Sequence, residues 1–217
     1  MNKVLAWFNV TTNPTSTPLP IGYIFKLNDK QCDPNFYQKY QQIVGSLIYL
    51  MIGLHSDIEF SIVKLAQQIA NSLNEHYWAG LHLYRYLLNT CNYWIVYDRL
   101  SNESIVAYSD SDCAQDPKLC KSITGYFTLM AHGVTSWISC LQKIIVLSST
   151  KAEYIALSNC SCQLVWTRNL LNEVSFNVLT PHIYSGNLGS LFWKSNLIQE
   201  KCSKHIDIWY YYIRDLI

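Results

Sequence analysis

Three stretches in the first half of the chain repeat an apolar residue every three or four positions, the step of a helix with one buried face. Over 36–52 the stripe is Ile43, Leu47 and Leu50. Over 57–70 it is Ile58, Ile62, Leu65 and Ile69, with Ser56 or Asp57 as the start signal. From Asn74 onward it is Tyr77, Leu81, Tyr84 and Leu88. The period changes near Asn92. Short aromatic and β-branched runs at 93–97 and 105–108 predict strands, and 125–130 with 134–138 predicts a hairpin around His132-Gly133. A long helix follows over about 150–174, with Ser148, Ser149 or Thr150 as its cap. Then come a strand at 182–185 and helices over 187–195 and 205–216. The pattern predicts an α/β domain over 93–217 behind a helical segment over 1–92. Residues 11–20, rich in Thr, Ser and Pro, are expected to form an extended linker.

Composition narrows the function classes. Half of the 217 residues are apolar and only 14% are charged, which supplies a core and argues against long disorder. A net charge of +1 exerts no general pull on nucleic acid, so any such contact must come from local patches. Eight cysteines include no Cys-x-x-Cys pair, and with no secretory signal they read as reduced thiols. The longest apolar run, 43–54, is broken by Gly45, Ser46 and Gly53 and falls short of the ~20 residues that cross a bilayer. A chain without a membrane segment, cytoplasmic or nuclear, is the expectation.

Three acids stand where secondary structure can gather them. Asp110 lies at a strand end in Tyr108-Ser109-Asp110-Ser111-Asp112, Glu153 in the first turn of the long helix, and Asp207 at the start of the last helix in Lys204-His205-Ile206-Asp207. Magnesium takes oxygen ligands, and two-metal phosphodiester hydrolysis needs such acids in a tight cluster. Fifteen acids in the chain allow many accidental trios, so on composition alone a plain surface reading stands beside this one. No Asp or Glu occurs between Glu173 and Glu200.

Around these acids the chain resembles the C-terminal part of the Pol polyprotein of copia-type retrotransposons. The likeness runs in order through Tyr40-Gln41-Gln42-Ile43-Val44-Gly45-Ser46-Leu47-Ile48-Tyr49-Leu50, Glu75-His76-Tyr77-Trp78 and Arg85-Tyr86-Leu87. It continues through Tyr108-Ser109-Asp110, Lys121-Ser122-Ile123-Thr124-Gly125-Tyr126, Ser136-Trp137, Leu147-Ser148-Ser149-Thr150, Ala152-Glu153-Tyr154 and Lys204-His205-Ile206-Asp207. The resemblance implies an RNase H-like mixed sheet flanked by helices, preceded by the mostly helical tail of a reverse transcriptase. It implies cleavage of the RNA strand of an RNA–DNA hybrid with two magnesium ions, and it matches Asp110, Glu153 and Asp207 to the first, second and fourth acids of the family. The third acid belongs to a motif that usually reads Ile-Tyr-Cys-Asp-Asn. Here it reads Ile183-Tyr184-Ser185-Gly186-Asn187, so Gly186 occupies the place of the acid.

Other positions depart as well. Cys113, Cys120 and Cys140 stand where the family usually has tryptophan, arginine and lysine. The expected outcome is an impaired enzyme; the alternatives are an active RNase H with a relocated ligand, or a non-cleaving module that holds nucleic acid or protein. His205 is either a proton shuttle or a structural residue, and Lys204, Lys143 and Trp137 are candidate hybrid contacts. Residues 1–92 carry no polymerase palm, which makes that domain the expected missing partner. The helix faces at Ile43, Leu47, Ile62 and Leu65 are therefore expected to be exposed and sticky.

Overall fold

The computed structural model describes residues 13–25, 34–98, 104–113, 120–176 and 179–186. The chain divides into two units, Met1–Trp94 and Ile95–Ile217. The first is built from helices α1 (Pro34–Gly53), α2 (Glu59–Gln67) and α3 (Asn74–Asn89), with a single 3-10 turn, Ser56–Ile58, entering α2. Their apolar stripes meet one another. Ile43, Leu47, Ile62 and Leu65 are at most 1% exposed, in one cluster with Tyr40, Leu83, Tyr84 and Leu87. The expectation of exposed faces at those four positions is overturned: three short amphipathic helices bury one another's stripes.

Several buried polar side chains inside this unit are bonded, whereas the Tyr23 hydroxyl and Arg85 Nε are buried without a hydrogen-bond partner. Tyr40 donates to the Leu65 carbonyl at 2.8 Å, and Tyr86 donates to Asp57 Oδ2 at 2.7 Å. His55 Nδ1 lies 3.4 Å from Asp57 Oδ1. Burial opposes ionisation of Asp57, but the His55 and Tyr86 bonds outweigh it and hold the carboxyl below its usual range. The expected linker is tied down where it is described. Thr15 Oγ1 donates to His82 O, Asn89 donates to Thr15 O at 3.3 Å, and His82 Nε2 reaches Thr17 O at 3.0 Å.

The second unit is a four-stranded mixed sheet with one long helix, a mixed α/β arrangement compatible with an RNase H-like fold. Its elements are β1 (Val106–Asp112), β2 (Ile123–Met130), β3 (Gly133–Leu141), α4 (Ser149–Glu173) and β4 (His182–Ser185). The strand order is β3-β2-β1-β4, with β1 antiparallel to β2 and parallel to β4. Ser148 caps α4 by accepting from the Lys151 N–H at 3.3 Å. Small side chains let the helix lie close to the sheet: Ala107 and Ser109 on β1, and Ala152, Ala156 and Cys160 on α4, are all buried. Burial pushes the Cys160 thiol up to about 12, so it packs as an inert apolar group. The other sheet face carries a row of register neighbours across all four strands, Tyr184, Tyr108, Phe127 and Trp137. Tyr108 stacks on Phe127 and on Tyr184, with ring centroids 5.0 and 5.2 Å apart.

Two expectations shift. Residues 93–97 form no strand; Tyr93, Trp94, Val96 and Tyr97 are exposed, and Asp98 N–H to Ala131 O at 2.8 Å is a lone backbone bond rather than a ladder. The hairpin turn is Ala131–His132, both left-handed at φ 52° and 63°, and Gly133 already belongs to β3. Gly133 is needed for a different reason, since a Cβ there would meet the Tyr97 ring at 2.4 Å. The expected helices over 187–195 and 205–216 lie outside the described residues. Among the described residues, no helix is long and apolar enough to cross a membrane.

A two-residue hairpin turn with both φ values positive favours Asn or Gly over Ala. Ala131→Asn should therefore raise stability by about 0.5–1 kcal/mol, whereas Gly133→Ala should cost about 1–3 kcal/mol by overpacking against Tyr97. Urea unfolding of the two variants measures both, and a neutral Gly133→Ala would contradict the close approach.

Candidate functional site

The site is built by two strands and the start of one helix. Along β1 the residues alternate, Ala107 and Ser109 buried towards α4, Tyr108 and Asp110 exposed on the aromatic face. Asp110 pairs with Gly125 on β2, whose missing side chain leaves open space beside it; a Cβ there would come no nearer than 3.9 Å to the Asp110 carbonyl. On the other side the parallel ladder runs Val106 with His182, Ala107 with Ile183, Tyr108 with Tyr184 and Ser109 with Ser185. The last pair is Ser109 with Ser185, where β4 ends, so Asp110 and Gly186 each follow a member of that pair along the chain.

Glu153 arrives from the helix. The helix begins at Ser149, so Glu153 lies just past the first turn rather than within it as expected, and it is 8% exposed and faces a second acid. Its carboxyl interacts with the Asp110 carboxyl and with the Ser111 N–H. Its Oε2 is buried with no hydrogen-bond partner. Burial, the Asp110 charge and the bond to Asp110 all disfavour ionisation, and together they outweigh the Ser111 N–H, which favours it. Glu153 is pushed up to about 7.

Of the three acids singled out in the sequence, Asp110 and Glu153 are brought together, and Asp207 lies outside the described residues, as do Lys204 and His205. Asp112, two residues beyond Asp110 on the same strand face, is exposed. Trp137 is half-buried in the aromatic row and Lys143 is exposed just after β3. Among the described residues no group of three or more His, Cys, Asp or Glu is gathered around a metal-sized space. The two carboxylates, one with an unpartnered buried oxygen, suit one oxygen-seeking divalent cation. Residue 186 adds no ligand for a second. Among the described residues a Cβ at Gly186 would meet nothing within 4 Å, and its φ is not left-handed, so they leave room for a side chain. Sequence reasoning missed Gly125, the Ser111 N–H and Gln142. None has a sequence signal, because each matters only through register or a contact across the fold.

The whole chain aligns at 31% identity with the retrovirus-related Pol polyprotein from transposon TNT 1-94 of Nicotiana tabacum, covering 17% of that protein. It is 34% identical over 96% of its length to the retrovirus-related Pol polyprotein from transposon RE1 of Arabidopsis thaliana, covering 14% of it. A third relative is the secreted RxLR effector protein 161 of Plasmopara viticola, 34% identical over 58% of this chain and 89% of its own length. The chain therefore spans about one-sixth of the length of the Pol polyproteins it matches. No family model matches it, and no solved structure does.

The pairing of Glu153 with Asp110 makes stability depend on pH. An unfolded glutamate titrates near 4.5 and the folded one near 7, so between those values the folded chain holds the extra proton. The stabilisation is complete below pH 4.5 and is lost as pH rises through 7. Glu153→Gln should remove that loss, so its advantage over the parent should grow between pH 5 and pH 8, by at most about 3 kcal/mol. Denaturant melts at both pH values measure it, and an identical pH dependence in the two proteins would contradict the strained pair.

Proposed function

Because the chain belongs to the copia-type retrotransposon Pol family, we propose that residues 93–217 form an RNase H-like domain disabled at residue 186. In this reading the domain evolved to hydrolyse the RNA strand of RNA–DNA hybrids. Residues 1–92 are the helical tail of a reverse transcriptase, and the palm of that enzyme is their partner. Asp110, Glu153 and Asp207 are the ligands that remain for magnesium. When bound, the metal pair activates the attacking water and stabilises the leaving oxygen.

The observation that supports the reading is the parallel register of β1 and β4, whose last pair, Ser109 with Ser185, immediately precedes Asp110 in one segment and Gly186 in the other. Glycine supplies no oxygen and no negative charge at that point. With Glu153 pushed up to about 7, a proton competes with any cation for the remaining pair at neutral pH. Loss of an essential catalytic group costs orders of magnitude in rate, each tenfold being about 1.4 kcal/mol of barrier.

The unmodified chain should therefore show negligible magnesium-dependent cleavage of an RNA–DNA hybrid. Gly186→Asp should raise cleavage by about 10²-fold or more, since the described residues leave room for the side chain. Robust cleavage by the unmodified chain would contradict the proposal and favour a relocated ligand. Hybrid retained at moderate salt, with no cleavage even after Gly186→Asp, would favour a binding module instead.

A further inference from the structure

Gln142 is the first residue after β3 and is 4% exposed. Its backbone N–H donates to Ser122 O at 2.8 Å. Its side-chain Nε2 donates to Thr124 Oγ1 and to the Ala152 carbonyl, each at 3.0 Å. A carbonyl only accepts, so the Ala152 contact fixes which end of the amide faces the helix. Oε1 is left buried with no partner.

Both partners of this amide belong to the acid pair's surroundings. Ala152 immediately precedes Glu153. Thr124 is the register partner of Ser111, whose N–H interacts with the Glu153 carboxyl. Beside these bonds, Val146, Ala152 and Ile155 form one small apolar cluster at this end of α4. Apolar burial is non-directional and leaves a helix end free to slide by fractions of an ångström. Two hydrogen bonds at 3.0 Å do not, because they weaken steeply once bent or stretched.

We propose that Gln142 is a positioning residue that ties the first turn of α4 to β2 and so sets where the Glu153 carboxyl stands relative to Asp110. The inference rests on the reading of these two acids as a cation-binding pair, and it adds a residue that acts on the pair through the helix backbone. A neutral amide suits the role, since a charged group in this place would disturb the two acids it aligns.

The test uses the full chain carrying Gly186→Asp, with Mn2+ alone as the probe. In that background Gln142→Leu, which keeps the volume and removes both donors, should weaken Mn2+ binding about tenfold or more. Amide hydrogen exchange should quicken at Ala152–Ala156 relative to Cys160–Leu164. Thr128→Val, which removes a different, part-buried hydrogen bond on β2 (to Thr135), serves as the control. It should change neither Mn2+ affinity nor the exchange ratio within α4. Should Gln142→Leu fail to fold, Gln142→Asn keeps the amide but shortens its reach, and it should give the same signature. Exchange that rises uniformly along α4, or not at all, overturns the tether whether or not metal binds. If the Gly186→Asp parent takes up no Mn2+ while the local exchange signature is present, the tether stands and the cation reading falls.

Discussion

Parallel pairing between β1 and the four-residue β4 is the constraint from which the candidate site follows. The register that sets Tyr108 beside Tyr184 also sets Ser109 beside Ser185, the pair that precedes Asp110 in one segment and Gly186 in the other. A one-residue slip would turn Tyr184 away from the Tyr108 face. The stacked rings of Phe127, Tyr108 and Tyr184 make such a slip costly, because it would break a stack that crosses three strands. The packing of the sheet thus holds the register up to the end of β4, next to which Asp110 and Gly186 follow in sequence.

The helix that brings Glu153 obeys a different rule. It can approach β1 because the residues between them are small, and that same proximity sets one carboxyl against another in a buried place. A carboxyl buried beside a second acid resists ionisation, which is why Glu153 is pushed up to about 7.

Much of the architecture was legible from local pattern. The three N-terminal helices, the long α4 with its Ser148 cap and the short β4 all follow from apolar spacing and capping chemistry, which act within a few residues. Features that depend on distant partners were not legible. The aromatic run 93–97 has strand composition but no ladder to join. Gly133 reads as a turn residue yet serves as clearance for Tyr97. The stripes at Ile43, Leu47, Ile62 and Leu65 are apolar, and only the fold shows that they cover one another. For the site, Asp110, Glu153 and Gly186 could be named from motif resemblance. The nearness of the first two came from the structure. Gln142 carries no signal at all in the sequence.

The central claim is that residue 186 is a missing ligand in an otherwise retained site. Counting the magnesium ions bound by the unmodified chain in the presence of RNA–DNA hybrid, by calorimetric titration, tests it most directly. The account predicts fewer than two ions per chain. Two tightly bound ions would contradict it.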